Sequence, residues 1–300
     1  MANPAYRGRF APTPSGPLHF GSLVAALGSY LEARSRAGEW LVRIEDVDPP
    51  RVVAGSADGI LRTLESFGFE WDGAVMYQSR RGEAYRAALE DLRRLGLVYP
   101  CSCSRKHLAE TARRGIDGPV YPGTCRARHD RDSALAQRFR TPEARMVFQD
   151  DLLGRIACDL ASECGDFVLR RADGVFTYQL AVVVDDAEQG ISHVVRGADL
   201  LTSTPRQICL QQALDLATPA YLHLPVALDE HGDKLSKQTL AQPVEAAHPI
   251  AALTTAARFL GLVPAAGIGS VTEFWPAALA AWPGRRRPPI RGRRANPCNS

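Results

Sequence analysis

The chain has 300 residues, 45% of them apolar and 23% charged, a composition that suits a soluble globular protein of one large or two modest domains. No run approaches the 18 or more uncharged apolar residues of a spanning helix, and the start MANPAYRGRFAP lacks the apolar core of a secretory signal, so membrane and export are poor readings and a cytoplasmic location is expected. The formal net charge of +3, from 36 basic and 33 acidic residues, decides neither for nor against a polyanionic partner. Six of the basic residues and none of the acidic ones follow Trp282, so the body up to that point carries 30 basic against 33 acidic residues, a charge of −3. An RNA-binding body of that sign must attract phosphate through a local arginine-rich surface.

In chain order, YRGRF at 6–10 predicts a short strand, followed by the Pro/Gly-punctuated turn APTPSGPLHFGS. Leu23, Ala26, Leu27, Tyr30 and Leu31 recur at helical spacing and predict an amphipathic helix over about 22–37. A second strand, EWLVRIED, then helices over about 54–67 and 82–95, complete a β-turn-α-β-α order that predicts a parallel sheet with helices on its faces. Residues 100–165 change character, with PCSCSRKH, GPVYPGTCRARHD and short charged segments, and read as an insertion. The α/β rhythm resumes with FVLRRADGVFTYQLAVVVDD, the strand ISHVVRG, a helix over about 203–215 and the loop DEHGDKLSKQ. A helical segment over about 249–261 follows, and the tail after Trp282, with four Pro, two Gly and six Arg, is expected to be disordered. The divisions that result are 1–99 and 166–240 for two halves of the sheet domain, 100–165 for the insertion, 241–282 for a short helical region and 283–300 for the tail.

Ligands of such sheets sit beyond the carboxyl ends of the strands, where the loop over 11–21 and the end of the second strand, Glu45 and Asp46, converge. The loop PTPSGPLHFGS at 12–22 combines small residues with a helix N-terminus whose backbone N–H groups face outward, an arrangement that binds phosphate. His19 can donate to a phosphate oxygen, and Gly21 leaves room for a nucleotide. A satisfied surface histidine after an ordinary turn would look the same. The basic residues narrow the choice: only Lys106, Lys234 and Lys237 are lysine, and two of these share the segment KLSKQ at 234–238. Two ammonium groups on one loop can close over a triphosphate and neutralise the charge that builds between the α-phosphate and departing pyrophosphate. Together the two elements describe nucleotidyl transfer.

These motifs identify a resemblance. HFGS at 19–22 is similar to the HIGH signature of class I aminoacyl-tRNA synthetases and KLSKQ to their KMSKS loop, while RFAPTPSGPLH and RIED at 43–46 resemble the glutamyl branch. The resemblance runs from about residue 6 to 240, with Ser22 and Leu235 as departures; Ser22 removes a second histidine contact to ATP and leaves the first step to His19 and the lysines. It implies an α/β fold: a Rossmann-like parallel-sheet catalytic domain with a zinc-containing insertion and a small helical C-terminal region. By position, it implies that Arg9, Thr13, Glu45, Tyr178 and Arg196 bind L-glutamate. It likewise places Pro12, His19, Gly21, Ser22 and Lys237 against ATP with Mg2+, and gives His19, Lys234 and Lys237 the catalytic roles. The chemistry agrees, since two carboxylates and one ammonium call for about two arginines and one acid. Arg9 also lies inside an apolar strand pattern, where a charge lacks a packing reason; Arg196, at the end of ISHVVRG, can equally be an ordinary surface residue.

The insertion carries Cys101, Cys103 and Cys125, three thiols that need one further donor for a closed, structural zinc site. The resemblance nominates Tyr121 as that donor, and His129, separated from Cys125 by three residues in a workable spacing, is the chemically commoner choice. Cys158, Cys164 and Cys209 read as buried core residues and Cys298 as part of the tail. About 60 residues follow Gln238, too few for a usual anticodon-reading domain, so the chain resembles the truncated glutamyl paralogues that act on queuosine in tRNA(Asp). That resemblance implies glutamyl adenylate formation without RNA, then transfer to the queuosine cyclopentenediol at the wobble position, with neither membrane nor DNA as partner. Other readings are a short synthetase that charges the 3′ end of tRNA(Glu), a non-catalytic paralogue that binds glutamate or RNA, and an adenylating ligase with a small acceptor.

Overall fold

A computed structural model describes residues 6–116, 118–128, 134–226, 244, 247–262 and 267–282. Lys234, Lys237, His129 and the tail over 283–300 lie outside the described residues.

Strand β1 (Arg7–Phe10) is joined to β2 (Glu39–Ile44) by helix α1 (Phe20–Arg34), because parallel neighbours need a crossover rather than a tight turn. The two strands pair in parallel with Arg9 opposite Leu41, and β3 (Met76–Tyr77), reached through α2 (Ser56–Ser66), extends the sheet with Tyr77 opposite Ile44. Helix α3 (Gly82–Arg94) leads to the inserted region, which holds β4 (Val98–Cys101), α4 (Arg105–Thr111), β5 (Arg114–Gly115), β6 (Gly118–Pro119), β7 (Ala136–Phe139), β8 (Arg145–Asp150) and β9 (Gly154–Asp159). After β10 (Phe167–Arg170) come α5 (Tyr178–Glu188), β11 (His193–Gly197), a 3-10 segment over Ala198–Ser203 that runs into α6 (Thr204–Ala213), and β12 (Ala220–Leu224). Strands β11 and β12 are parallel, with Arg196 opposite His223. The Ser192 amide donates to the Arg7 carbonyl at 3.0 Å and the Arg7 amide to Ser192 Oγ at 2.9 Å, which sets the start of β11 against β1 and brings the two halves together.

Within the inserted region, β7 lies between β4 and β10 in an antiparallel sheet, and β8 and β9 form an antiparallel hairpin. The far end of β8 also pairs in parallel with β12, Asp150 opposite Tyr221, so residues 145–150 belong structurally to the second half of the parallel sheet as well. Local periodicity does not reveal these strands, since β8 alternates only partly between buried and exposed positions and is chosen by its partner across the sheet.

Helix α1 differs from the amphipathic helix its spacing predicts. From Leu23 to Ala33 it is buried almost throughout, because it lies between strands β1 and β11 and the helices α7 (Pro249–Phe259) and α8 (Val271–Ala281). A helix covered on both sides loses its polar stripe. Gly28 permits the close approach: a Cβ there would stand 2.5 Å from Leu224 Cδ1. Glu32 on the same helix is buried and accepts from Arg36 Nη2 and Trp282 Nε1, both at 2.6 Å. An aromatic group ties α8 to the first half of the sheet, with Tyr30 edge-on to Trp40 and Phe69, and Trp275 4.9 Å from Phe69.

Candidate active site

The loop between β1 and α1 is fixed from two sides. The Glu45 amide donates to the Pro12 carbonyl at 3.0 Å, which joins the loop to the end of β2. Ser56, at the start of α2, accepts from the Gly16 amide at 2.9 Å and donates to the Gly16 carbonyl at 2.7 Å; Gly16 stands at φ 128°, in a conformation that a side chain resists. Thr13 is half-buried in this loop, its carbonyl accepting from the Ser15 amide at 2.9 Å. His19 is the N-cap of α1: its Nδ1 accepts from the Ser22 amide at 3.3 Å, and Ser22 Oγ lies 3.0 Å from Nε2. Gly21 and Ser22 form the first turn of α1 beside it. The histidine and the helix N-terminus therefore sit together, as a phosphate site at this loop requires.

At the carboxyl ends of β1, β2 and β11, the structure links Arg9 and Glu45 through Arg43 and Asp186 and sets Arg196 against Tyr178. Arg196 Nη1 donates to Tyr178 Oη at 3.2 Å. Burial pushes the Tyr178 phenol up. Burial also pushes the Glu45 carboxyl above its ordinary value, although Arg43 and Arg9 oppose it. Asp46 has a different role, accepting from the Ser79 amide at 2.8 Å and Ser79 Oγ at 2.7 Å, so it caps the turn after β3.

Two buried charges that sequence reasoning missed organise this site. Arg9 forms a fork to Asp186, Nε to Oδ1 at 3.0 Å and Nη2 to Oδ2 at 3.3 Å. Arg43, fully buried, donates from Nη2 to the same Oδ1 at 2.8 Å and to Glu45 Oε1 at 3.4 Å. Burial alone would raise the Asp186 carboxyl, but Arg9 and Arg43 outweigh it and hold the group below the usual carboxylate range. The signal was present, since Arg43 and Asp186 are charges within the apolar runs EWLVRIED and LAVVVDD, as Arg9 is within its strand. A further cluster, with His223 and Thr204 against Arg196 and Asp150 behind His223, left no sequence signal.

The cysteine cluster lies in the inserted region. The sulfurs of Cys101, Cys103 and Cys125 are within 4.8 Å of one another, with Cys103 and Cys125 3.7 Å apart. Tyr121 Oη stands 3.3 Å from Cys101 Sγ and 3.5 Å from Cys103 Sγ, and accepts from the Cys125 amide at 2.8 Å. Around one tetrahedral zinc, donor pairs are separated by about 3.8 Å for two sulfurs and about 3.5 Å for sulfur and oxygen, so the four atoms fit a single ion. Burial pushes the Cys125 thiol up, but hydrogen bonds from Tyr121, Ser102 and Cys103 bring it down to about 6, while burial pushes the Cys103 thiol and the Tyr121 phenol up, so a metal would have to displace the protons of those two groups. The Arg138 guanidinium lies 4.0 Å over the Tyr121 ring and fixes its plane.

Residues 5–252 match the family of tRNA synthetases class I (E and Q), catalytic domain. The glutamyl-Q tRNA(Asp) synthetase of Chromobacterium violaceum is 58% identical over 283 residues, 94% of this chain and 95% of that protein. The chain belongs to this family, in its glutamyl-Q tRNA(Asp) synthetase branch. Among solved structures, a glutamate tRNA ligase from Elizabethkingia meningosepticum in complex with its amino acid is 29% identical, with a TM-score of 0.68 over 78% of this chain and 52% of that one. A glutamate-tRNA synthetase from Elizabethkingia anophelis is 27% identical, with a TM-score of 0.75 over 90% of this chain and 65% of that one. This synthetase thus spans about half to two thirds of the length of those two enzymes. The α/β parallel-sheet fold expected from the motifs is the class I catalytic fold. Among the described residues, no helix is long and apolar enough to cross a membrane.

Proposed function

We propose that this synthetase activates L-glutamate with ATP and transfers it to the queuosine cyclopentenediol at the wobble position of tRNA(Asp). The observation that carries the amino-acid assignment is the gathering of Arg9, Glu45, Tyr178 and Arg196 at the carboxyl ends of β1, β2 and β11, with Arg196 bonded to Tyr178 and Arg9 joined to Glu45 through Asp186 and Arg43. The Arg196 guanidinium complements a carboxylate of glutamate, Arg9 adds a second guanidinium whose charge it shares with Asp186, and Glu45, bonded through its amide to the loop that carries Thr13, receives the α-ammonium. Queuosine and tRNA(Asp) come from the name of the relatives, which cover nearly the whole chain.

The reaction needs no enzyme nucleophile. In the first step an oxygen of the glutamate α-carboxylate attacks the α-phosphorus of ATP, and the bond to the leaving pyrophosphate breaks. The backbone at the mouth of α1, with Pro12, Gly21 and Ser22, cradles the nucleotide. His19 donates to a phosphate oxygen, while Lys234 and Lys237 take up the charge that develops on the leaving group. The class uses ATP with Mg2+, and an ion bound to the nucleotide would add charge screening to that of the lysines. In the second step a queuosine hydroxyl attacks the activated carbonyl and AMP departs.

With radiolabelled glutamate and ATP, label is expected on tRNA(Asp) that carries queuosine, and it should be absent from tRNA(Asp) lacking the base and from tRNA treated with periodate to cleave the diol. Label confined to tRNA(Glu) would overturn the assignment in favour of 3′ charging.

The cysteine cluster supports a structural zinc held by Cys101, Cys103, Cys125 and Tyr121 in the insertion of residues 100–165. All four positions are filled by protein donors, which leaves no open site for chemistry. Elemental analysis of the purified protein should find one zinc per chain, and Cys125→Ala should lose it. Retention in Tyr121→Phe together with loss in His129→Ala would make His129 the fourth ligand instead.

A further inference from the structure

Each arginine at the candidate glutamate site has a different electrostatic setting. Arg9 and Arg43 share the Asp186 carboxylate, and Arg43 also reaches Glu45, so their charge is largely compensated within the protein. Arg196 is different. Its four hydrogen bonds run to His223 Nε2 at 3.2 Å, Tyr178 Oη at 3.2 Å, Thr204 Oγ1 at 2.7 Å and the Leu200 carbonyl at 3.5 Å. None of these acceptors is a carboxylate. Arg196 is only 5% exposed, and its guanidinium is oriented on several sides while its positive charge stays uncompensated by its direct partners.

The acid of the cluster stands one residue further back. Asp150 Oδ2 is 2.7 Å from His223 Nδ1 and accepts from the His223 amide at 3.1 Å, and its Oδ1 accepts from the Leu152 and Leu153 amides at 3.0 and 2.8 Å. Both His223 and Asp150 are fully buried. An arginine Nε–H can only donate and a carboxylate can only accept, so the ring between them carries its proton on Nδ1 and presents a lone pair at Nε2. Thr204 Oγ1, 3.1 Å from Nε2, closes the ring of contacts. Burial and the neighbouring Arg196 hold His223 below its ordinary value against the pull of Asp150, which agrees with a neutral ring.

From this arrangement we infer that Asp150, His223 and Thr204 are positioning residues that fix the Arg196 guanidinium without neutralising it, so that its charge is free for a carboxylate of the bound amino acid. The inference rests on the reading that Arg196 holds glutamate. It assigns a role to β8, the strand that the chain supplies from the inserted region, since β8 brings Asp150 alongside β12. It also explains why the acid is separated from the arginine by an imidazole. A carboxylate in the place of His223 would pair with Arg196 directly and compete with the substrate.

Pyrophosphate exchange by the full chain tests the inference through pairs of variants. His223→Gln can place an amide oxygen where Nε2 lies and keep an acceptor for Arg196. His223→Asn keeps a donor towards Asp150 and withdraws that acceptor. His223→Asn is expected to raise the KM for glutamate at least about tenfold, as for a lost hydrogen bond to a charged group, with the KM for ATP unchanged and His223→Gln within about threefold of the parent. Thr204→Val and Thr204→Ser repeat the contrast at the second acceptor, and decide the matter alone should His223→Asn fail to fold. An unchanged glutamate KM in the folded Asn or Val variant, or an equal rise in the KM for ATP, overturns the inference. Arg196→Lys separates the two levels: if it leaves the glutamate KM unchanged, the underlying reading of the site fails, whereas a rise there without one in the Asn and Val variants removes only the positioning role.

Discussion

Asp186→Ala is expected to destabilise the protein by about 3–5 kcal/mol, the cost of leaving buried charge without its partner. The size follows from geometry rather than from the carboxylate as such. Asp186 accepts from Arg9 and Arg43 together, and both guanidinium groups are buried, Arg43 completely. Neither arginine can lose its proton to escape the burial, so each must find water or Glu45. The Glu45 carboxylate would then be drawn further into pairing with Arg43 and away from a bound ammonium, so glutamate affinity should fall along with stability. The sign with pH is fixed by the direction of the shift. Because the carboxyl sits below its unfolded value in the folded protein, its contribution is complete above the ordinary aspartate range near about 4 and is lost as pH falls through the folded value. Urea titrations at pH 7 and in acid check both statements. A stability gap that stays constant as the pH is lowered through this range would show that the Asp186 charge is not the source.

Lys237→Ala is expected to lower pyrophosphate exchange by about a hundredfold with little change in the KM for glutamate, the effect of removing one preorganised donor from the transition state. The lysine pair stands out against a chain in which nearly every other positive charge is arginine. A compact ammonium can follow the phosphates as the leaving group separates, whereas a guanidinium fork holds a planar geometry. Lys237→Arg should therefore recover only part of the rate. Pyrophosphate exchange at the parent rate in the alanine variant would remove this residue from the mechanism.

The order of elements and the loop between β1 and α1 were legible in local sequence. The strands at 7–10 and 39–44 and the helices at 56–66 and 82–94 fall close to the positions that periodicity predicts, and the small residues before His19 mark a turn into a helix. Arg9 was conspicuous as a charge in an apolar strand, and Glu45 as an acid at the end of the next one. Arg43 and Asp186 carried the same mark, but a pattern of single residues does not say which charges meet. Arg9 and Asp186 lie 177 positions apart, and His223 and Asp150 lie 73 apart.

Sequence by itself thus determined what each segment offers: a small-residue turn into a helix N-terminus, a scarce pair of lysines, three thiols at ligand spacing, and a family whose motifs occur together. Tertiary structure decided which charges are neutralised and which remain available. Two arginines look equivalent in the chain, yet one is tied to an aspartate and the other is held by neutral acceptors. The helix that reads as amphipathic is buried on both sides for a related reason. Helical spacing is set by neighbours along the chain, but burial and charge compensation are set by whatever the fold brings across the sheet.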